Sequence, residues 1–428
     1  MISESFLEVV SPLLNSHSPL SADLETRARW LVLDTLGCAI AGGRSDAVRS
    51  WLDSHRLSDH PYGTPVGGGS AGALGPAMAL TMGACWDEAC EGHADAHGRP
   101  GVAALGAVWP SVLQMTWEQM IRAVVVGYEV GARAGAALRI APGMHVDGNW
   151  PALGAAAAAG CALGLDSQAV LTAVNIAACQ LPTSLYRPVQ TGDTVRNTYL
   201  GHAAVLGRMA AQTAAAGITA PPDAVEAYLG VSSGRGVEPV AAEGYQILSG
   251  YFKEYAAVRH VHYAARAALE LRSEVAADDI ETIQVWTYPE AIRYCAIRHP
   301  ETQLQAQFSL SFGVAAMLRW GRLDPAVYRN PDFADPLLRD LERKVIVNSV
   351  PAWADTRAAR VEVTGRSGQV ADTTISVVRG DASLPWSEAD LVGKFVDYSE
   401  PSLGPADAAA LADRVLRAPL HARIFPAG

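Results

Sequence analysis

The stretch Thr116–Leu138, TWEQMIRAVVVGYEVGARAGAAL, sets the architecture of this 428-residue chain. Thr116 is placed to cap a helix, and Glu118 suits the positive end of the helix dipole. Gly127, Gly131 and Gly135 follow at steps of four, so they fall on one helical stripe. Each glycine inside a helix costs roughly 0.5–1 kcal/mol relative to alanine. Three on one stripe make sense only if a neighbouring helix comes close there. The pattern predicts a helical bundle with small-residue seams.

The flanking sequence agrees. Ser21–Ile40 reads as a helix capped by Ser21 and stopped at Gly42-Gly43. Pro151–Gly164 and Ser167–Cys179 read as two more, joined at Gly164-Leu165-Asp166, and Gly201–Gly217 as another alanine-rich helix. The character changes after about Gly250. Ile280–Thr287, IETIQVWT, has strand composition. Arg360–Val378 reads as a β-hairpin turning at Gly365–Gly368. Phe308–Leu318 and Asp335–Val345 read as helices, the second with Asp335 as cap and Pro336 at its first position. A last helix, Gly404–Leu416, is placed to return to the first domain. The expected fold is mainly α: a large all-helical domain (1–250 and 400–428) and a smaller α+β lid domain (251–399).

Composition narrows the function classes. Half of the residues are hydrophobic, only 7% are aromatic, and the formal charge is −11. With no basic tract, nucleic acid is not an expected partner. The longest weakly polar run, Ala152–Leu165, is too short to span a bilayer, so no membrane is expected either. Six cysteines without a CxxC pair point to a reducing cytoplasm. The N-terminus MISESFLEVVSPLL lacks the basic region of a signal peptide. GGGS within Val66–Ser70 has no lysine at P-loop spacing and reads as a turn.

The chemistry concentrates in Met82–Gly101, MGACWDEACEGHADAHGRPG. Asp87, Glu88, Glu91, His93, Asp95, His97 and Arg99 crowd there, between segments that belong in a core, in a chain only 18% charged. Buried polar groups must be paired or put to use. This stretch therefore reads as one wall of an active site, with a solvated loop as the alternative. Four further groups stand out: His145 between Gly143 and Gly148, where it should be accessible; Leu185–Tyr199 with Arg187, Arg196 and Tyr199; Lys253 followed by Arg259, His260 and His262; and Arg293–His299. Taken singly, His260 and His262 could serve packing or capping, and Arg187 and Arg293 read as surface ion-pair residues.

Metal binding is not the reading adopted. His93 and His97 share a face only if their glycine-containing segment is helical, and HADAH lacks a zincin's glutamate. Nucleophilic catalysis is weak too. There is no GxSxG, and Cys90 has no cationic neighbour in sequence to lower its pKa. Proton transfer beside a carboxylate remains. Histidines, a lysine and carboxylates move the proton while arginines hold negative charge, and the scheme needs no cofactor.

Six segments, in order, resemble the MmgE/PrpD family. They are LVLDTLGCAIAG (Leu31–Gly42), GYEVGARAGAAL (Gly127–Leu138), GMHVDGNWPALGAAAAAGCALGLD (Gly143–Asp166), YLGHAAVLGRMAA (Tyr199–Ala211), FKEYAAVRHVHYAARAALEL (Phe252–Leu271) and QFSLSFGVAAML (Gln307–Leu318). The resemblance implies a homodimer of helical domain plus α+β lid, with lyase or epimerase chemistry on small carboxylates. It places His145 at the histidine of a GFHxTG-like segment, Lys253 at the start of a K-x-Y/F segment, and Arg259-His260 at its CRH portion. Departures occur too. The family's Asp-rich DxDD and HPG become Glu88-Ala89-Cys90-Glu91 and Arg99-Pro100-Gly101. Its lysine before LHxGxAA becomes Arg196, with Tyr199 where histidine is common.

The expected function is a cofactor-independent lyase acting on a small di- or tricarboxylate. His145, Lys253, His93, His97 and Glu88 would form the catalytic set. Arg99, Arg196, Tyr199, Arg259 and His260 would bind the substrate. An epimerase using the same carbanion is the runner-up, and a carboxylate-binding relative that lost its chemistry is a third reading.

Overall fold

A computed structural model describes residues 10–14, 19–55, 74–138, 140–233, 244–329, 333 and 335–425. The turn expected at Val66–Ser70 lies outside them, as does all but residues 10–14 of the N-terminal stretch MISESFLEVVSPLL, read as lacking a signal peptide. Helix α1 (Ala22–Gly42) begins where expected, with Ser21 Oγ accepting from the Leu24 amide at 3.3 Å. Around it stand α2 (Leu74–Trp86), α3 (Pro100–Val108), α4 (Trp117–Ala137), α5 (Pro151–Ala162), α6 (Ser167–Ala178) and α7 (Tyr199–Ala215). Thr116 and Gln119 close a capping box at the start of α4.

The glycine stripe does what its spacing requires. A Cβ on Gly127 would fall 2.6 Å from Ala158 Cβ and 2.7 Å from the Gly154 carbonyl, both on α5. One on Gly135 would fall 2.7 Å from the Trp150 ring. At the crossing of α4 and α5 the two backbones touch, and α5 is buried from Pro151 to Gly160. Alanine and glycine are common here because larger side chains would push the helices apart.

The second part of the chain builds a four-stranded sheet. Its strands are β1 (Ile280–Thr287), β2 (Val345–Ser349), β3 (Ala359–Gly365) and β4 (Val370–Ile375), in the order β2-β1-β3-β4. The expected hairpin is β3–β4, paired antiparallel from Ala359↔Ile375 to Thr364↔Val370. Strand β2 pairs parallel to β1 and was not expected from the sequence. Along β3 buried residues alternate strictly, because one face is covered by α8 (Arg259–Leu271). Helix α9 (Leu310–Trp320) packs beside α8. The expected Asp335 cap and Pro336 start are present, with Asp335 accepting from the Leu337 amide at 2.9 Å.

The chain then returns to α1 through α10 (Glu388–Leu403) and α11 (Pro405–Arg417). Arg29 of α1 donates to the carbonyls of Val415 and Ala418, each at 2.8 Å. Lys394 of α10 donates to Asp34 Oδ1 of α1 at 2.6 Å. The fold is thus mainly α with a smaller α+β region, closed back on α1. No helix of the described residues is long and apolar enough to cross a membrane.

The crossing supplies a paired test. Gly127→Ala inserts a methyl between two backbones and should destabilise by about 1–3 kcal/mol. Gly131→Ala meets nothing closer than 3.4 Å, so its higher helix propensity should leave it neutral or up to about 1 kcal/mol more stable. Urea unfolding of both variants reads the contrast directly; equal effects would mean the stripe is not a contact seam.

Candidate active site

The polar stretch that follows α2 is a loop, and its backbone is pinned on both sides. His93 and Gly98 form an antiparallel bridge, with the His93 amide donating to Gly98 at 2.8 Å. Gly92 and Tyr251 exchange two hydrogen bonds, at 3.0 and 2.8 Å, which lays the segment leading to Lys253 beside the loop. Glu88 and His97 have φ of 52° and 55°. Such left-handed backbone is uncommon away from glycine and persists where the surroundings enforce it. His93 and His97 therefore do not share a helical face.

Glu88 is the hub. Lys253 Nζ donates to the Glu88 Oε1 at 2.6 Å and to the Glu88 backbone carbonyl at 2.9 Å. Arg196 Nη2 lies 2.5 Å from Oε2 and Arg99 Nη1 lies 3.3 Å from it. All four residues are buried. Burial alone would raise the Glu88 pKa, but Arg196, Arg99 and Lys253 hold it well below the usual carboxylate range. Asp147 backs the arginines from the other side. It pairs closely with Arg99 and lies 3.5 Å from Arg196 Nη2. Against burial, Arg99 and Arg196 hold the Asp147 carboxyl below its usual range as well.

His145 sits against this cluster on a two-residue strand, Met144–His145, paired with Ser184–Leu185. Its Nε2 faces Arg196 Nε at 3.3 Å, and its Nδ1 accepts from the Asp147 amide at 3.2 Å with Asp147 Oδ2 at 3.9 Å. Expected to be accessible between its glycines, the residue is in fact buried, with the Tyr186 ring stacked on it at 5.8 Å. Burial, assisted by Arg196 and Arg99, pushes its pKa down to about 4. The imidazole is neutral at physiological pH.

These groups line a cavity of about 440 Å³. Nine of the ten residues given catalytic or binding roles from the sequence border it; Tyr199 does not. The Tyr199 ring packs edge-on against His145 at 5.6 Å while its hydroxyl bonds the Leu185 carbonyl at 3.0 Å. It supports the histidine and does not face the cavity. Arg259 is engaged by Asp381 and lies 4.5 Å over the Tyr251 ring. His260 bonds the Tyr288 hydroxyl at 2.7 Å, and His97 Nδ1 lies 3.7 Å from Glu290. His93 accepts from the Ala96 amide at 3.3 Å, which braces the loop. Arg259, His260 and His262 occupy the first turn of α8 and not a free turn.

Two readings of the sequence change. Cys90 does gain a cationic neighbour: Arg99, nine residues on, donates to its sulfur at 3.4 Å. A hydrogen bond with Cys85, with help from Arg99, brings the Cys90 thiol down to about 6 against the effect of burial. Arg293, read as half of a surface ion pair, borders the cavity and has no carboxylate within 4.0 Å among the described residues. Residues the sequence did not single out are Asp147, Tyr186 and Arg357. Asp147 stood two positions from His145, and a lone acid in GMHVDG was the available signal; Arg357 carried none.

Two family models match the chain: the MmgE/PrpD N-terminal domain over residues 15–234 and the MmgE/PrpD C-terminal domain over residues 255–418. The chain is also similar to a protein called cis-aconitate decarboxylase from Aspergillus terreus. The two are 29% identical over 204 residues, which is 42% of this chain and 41% of the relative. The protein of the same name from strain NIH 2624 / FGSC A1156 matches with the same figures. The match thus spans less than half the length of these curated relatives.

One carboxyl of the loop sets a pH dependence. Glu91 Oε1 accepts from the Gly101 amide at 2.8 Å, and its Oε2 is buried without a partner. Burial, then the neighbouring Cys90, pushes its pKa up to about 8. The folded protein holds a proton that the unfolded chain releases above about 4.5. This contribution is therefore complete at low pH and fades as pH climbs from about 4.5 to about 8. Glu91→Gln keeps the acceptor and removes the charge. Urea unfolding should find it near neutral at pH 5 and stabilising by roughly 2–4 kcal/mol at pH 8.5. A variant less stable than the parent at pH 8.5 would refute the buried neutral acid.

Proposed function

The chain belongs to the MmgE/PrpD family, and from that premise we propose that it is a cofactor-independent lyase acting on a small di- or tricarboxylate. One observation carries the reading. A neutral imidazole, His145, and the lysine Lys253 border one cavity whose cations are fixed by two ionised carboxylates, Glu88 and Asp147. A carbon acid next to a carboxylate needs those parts: a base that is free at neutral pH, a proton donor, and positive charge waiting where negative charge develops.

A neutral imidazole offers one acceptor nitrogen, yet two donors compete for His145: the Asp147 amide at Nδ1 and Arg196 at Nε2. A substrate carboxylate draws Arg196 onto itself and releases Nε2, with the hydrogen on Nδ1 turned toward Asp147. Nε2 then takes the proton from the carbon beside that carboxylate. The C–H electron pair moves into the carboxylate as an enediolate, held by Arg196 and Lys253. In dehydration, the enediolate collapses and the bond to a β-hydroxyl breaks. The hydroxyl leaves as water with a proton from the Lys253 ammonium. In decarboxylation no C–H bond is broken. The C–CO₂ bond breaks, its electron pair is held by Arg196 and Lys253 as the enediolate of a remaining carboxylate, and the carbon receives a proton from the Lys253 ammonium. The bound anion also offsets Arg196 and Arg99, which raises the basicity of His145 when it is needed.

The test is incubation with candidate di- and tricarboxylates in D₂O, followed by NMR. Deuterium incorporation with loss of water or CO₂ supports the lyase. Deuterium incorporation with inversion and no new double bond assigns the runner-up, epimerisation through the same carbanion. Binding without exchange for every acid overturns both. For an acid that is turned over, His145→Asn should lower kcat by about 10²–10⁴-fold. The acid limb of kcat/KM should lie well below 6.5, since burial and the arginines hold His145 near 4. A limb at 6.5 would remove His145 as the base.

A further inference from the structure

The cations around the cavity fall into two sets. Arg99, Arg196 and Lys253 are bound to Glu88 and Asp147, three cations against two carboxylates. Arg259 is matched by Asp381. Arg357 and Arg293 are different. Both border the cavity, and neither has a carboxylate within 4.0 Å among the described residues. Among the described residues Glu290 is the one acid bordering this part of the cavity, and it stands beside His97.

Arg357 is the more constrained of the two. It precedes β3 in the α+β region and crosses to the polar loop, where Nη2 donates to the Ala94 carbonyl at 3.4 Å. It is half-buried among the rings of Tyr251, Tyr288 and Tyr263. A guanidinium has five N–H donors in a fork that fits a carboxylate. Among the described residues one long hydrogen bond uses one of them. A half-buried guanidinium with spare donors facing a cavity is placed to take the oxygens of an anion.

From this geometry we propose that Arg357 binds the distal carboxylate of a dianionic substrate whose reacting carboxylate lies at Arg196 and Lys253. The assignment rests on the carboxylate-lyase reading above and narrows it to dicarboxylates. The placement of charge agrees: Arg357 and Arg293 face one acid bordering their part of the cavity, Glu290, so an anion held at Arg196 and Lys253 finds positive charge at its far end. Arg357 also links the two regions of the fold, so a bound diacid would touch both at once.

The experiment is calorimetric titration at pH 7.5 with malonate, succinate and glutarate, each paired with its half-amide, which keeps one carboxylate and loses the other charge. The three lengths read the spacing between the inner cluster and Arg357. The parent protein should bind the best-fitting diacid at least about tenfold more tightly than its half-amide, as expected for a charge-assisted pair. Arg357→Gln should bring the diacid down to the half-amide's affinity and leave the half-amide unchanged. Arg357→Lys, which keeps the charge without the fork, should fall between. Equal binding of diacid and half-amide by the parent would overturn the assignment. So would undiminished diacid binding by Arg357→Gln, or tighter binding of citrate than of every diacid. In those three cases a carboxylate still binds and the lyase reading stands. If no carboxylate binds, both fall together.

Discussion

Glu88 is the carboxylate on which the site is assembled. It is buried, carries a left-handed backbone, and bonds cations from three separate places: Arg99 at the far end of its own loop, Arg196 before α7, and Lys253 beyond residue 250. Without an anion at this point, three buried positive charges would face one another with only Asp147 between them. Removing one partner of a buried ion pair commonly costs about 3–5 kcal/mol, because the remaining charge stays desolvated. The cluster is therefore a condition of the fold as much as a feature of the cavity. It also explains why a mostly apolar chain concentrates its charge after α2.

A second buried pair holds the first in register. Lys394 of α10 donates to Asp34 Oδ1, to the Ala89 carbonyl at 2.7 Å and to the Lys253 carbonyl at 3.0 Å. The other Asp34 oxygen accepts from the Glu91 amide at 2.9 Å. One ammonium thus grips the backbone next to Glu88 and the backbone of its partner Lys253, using all three of its donors. Asp87 does similar work toward the α+β region, accepting from Gln303 at 2.9 Å and pairing with Arg329. Lys394 touches none of the groups proposed to react, yet it fixes where two of them begin. The return of the last helices to α1 is what delivers it.

Much of this was legible residue by residue. The Gly127–Gly131–Gly135 stripe announced a helix crossing because only glycine makes that spacing costly enough to require a reason. The density of acids and histidines from Asp87 to Arg99 marked the site wall, since neighbouring segments are too apolar for an idle polar loop. Partnership was the part that could not be read. Nothing in the order of residues says that Glu88 meets Lys253 165 positions away, or that Tyr199 turns its hydroxyl to Leu185. Asp34 did leave a trace, a lone charge in the apolar second half of its helix; Lys394, in a helix with four acids, left none. Arg357 left none, because an arginine before a strand is ordinary until the cavity beside it is seen.

The departures from the family's pattern bear on which groups can move a proton. Where the resemblance places a histidine, in HPG, this chain has Arg99, and where it places a lysine it has Arg196. Arginine holds its proton throughout the range in which proteins work, so neither residue can act as an acid or a base. Both are further fixed by Glu88 and Asp147. Of the inner groups that border the cavity, with both carboxylates ionised, His145 and Lys253 are left to transfer a proton; Cys90, with its thiol brought down to about 6, does not border it. The arginines supply permanent charge instead, and they lower the His145 pKa while the cavity holds no anion. Binding and basicity become coupled: the ligand that neutralises the arginines is the one that turns the imidazole into an effective base. A site built this way discriminates by charge before it discriminates by shape.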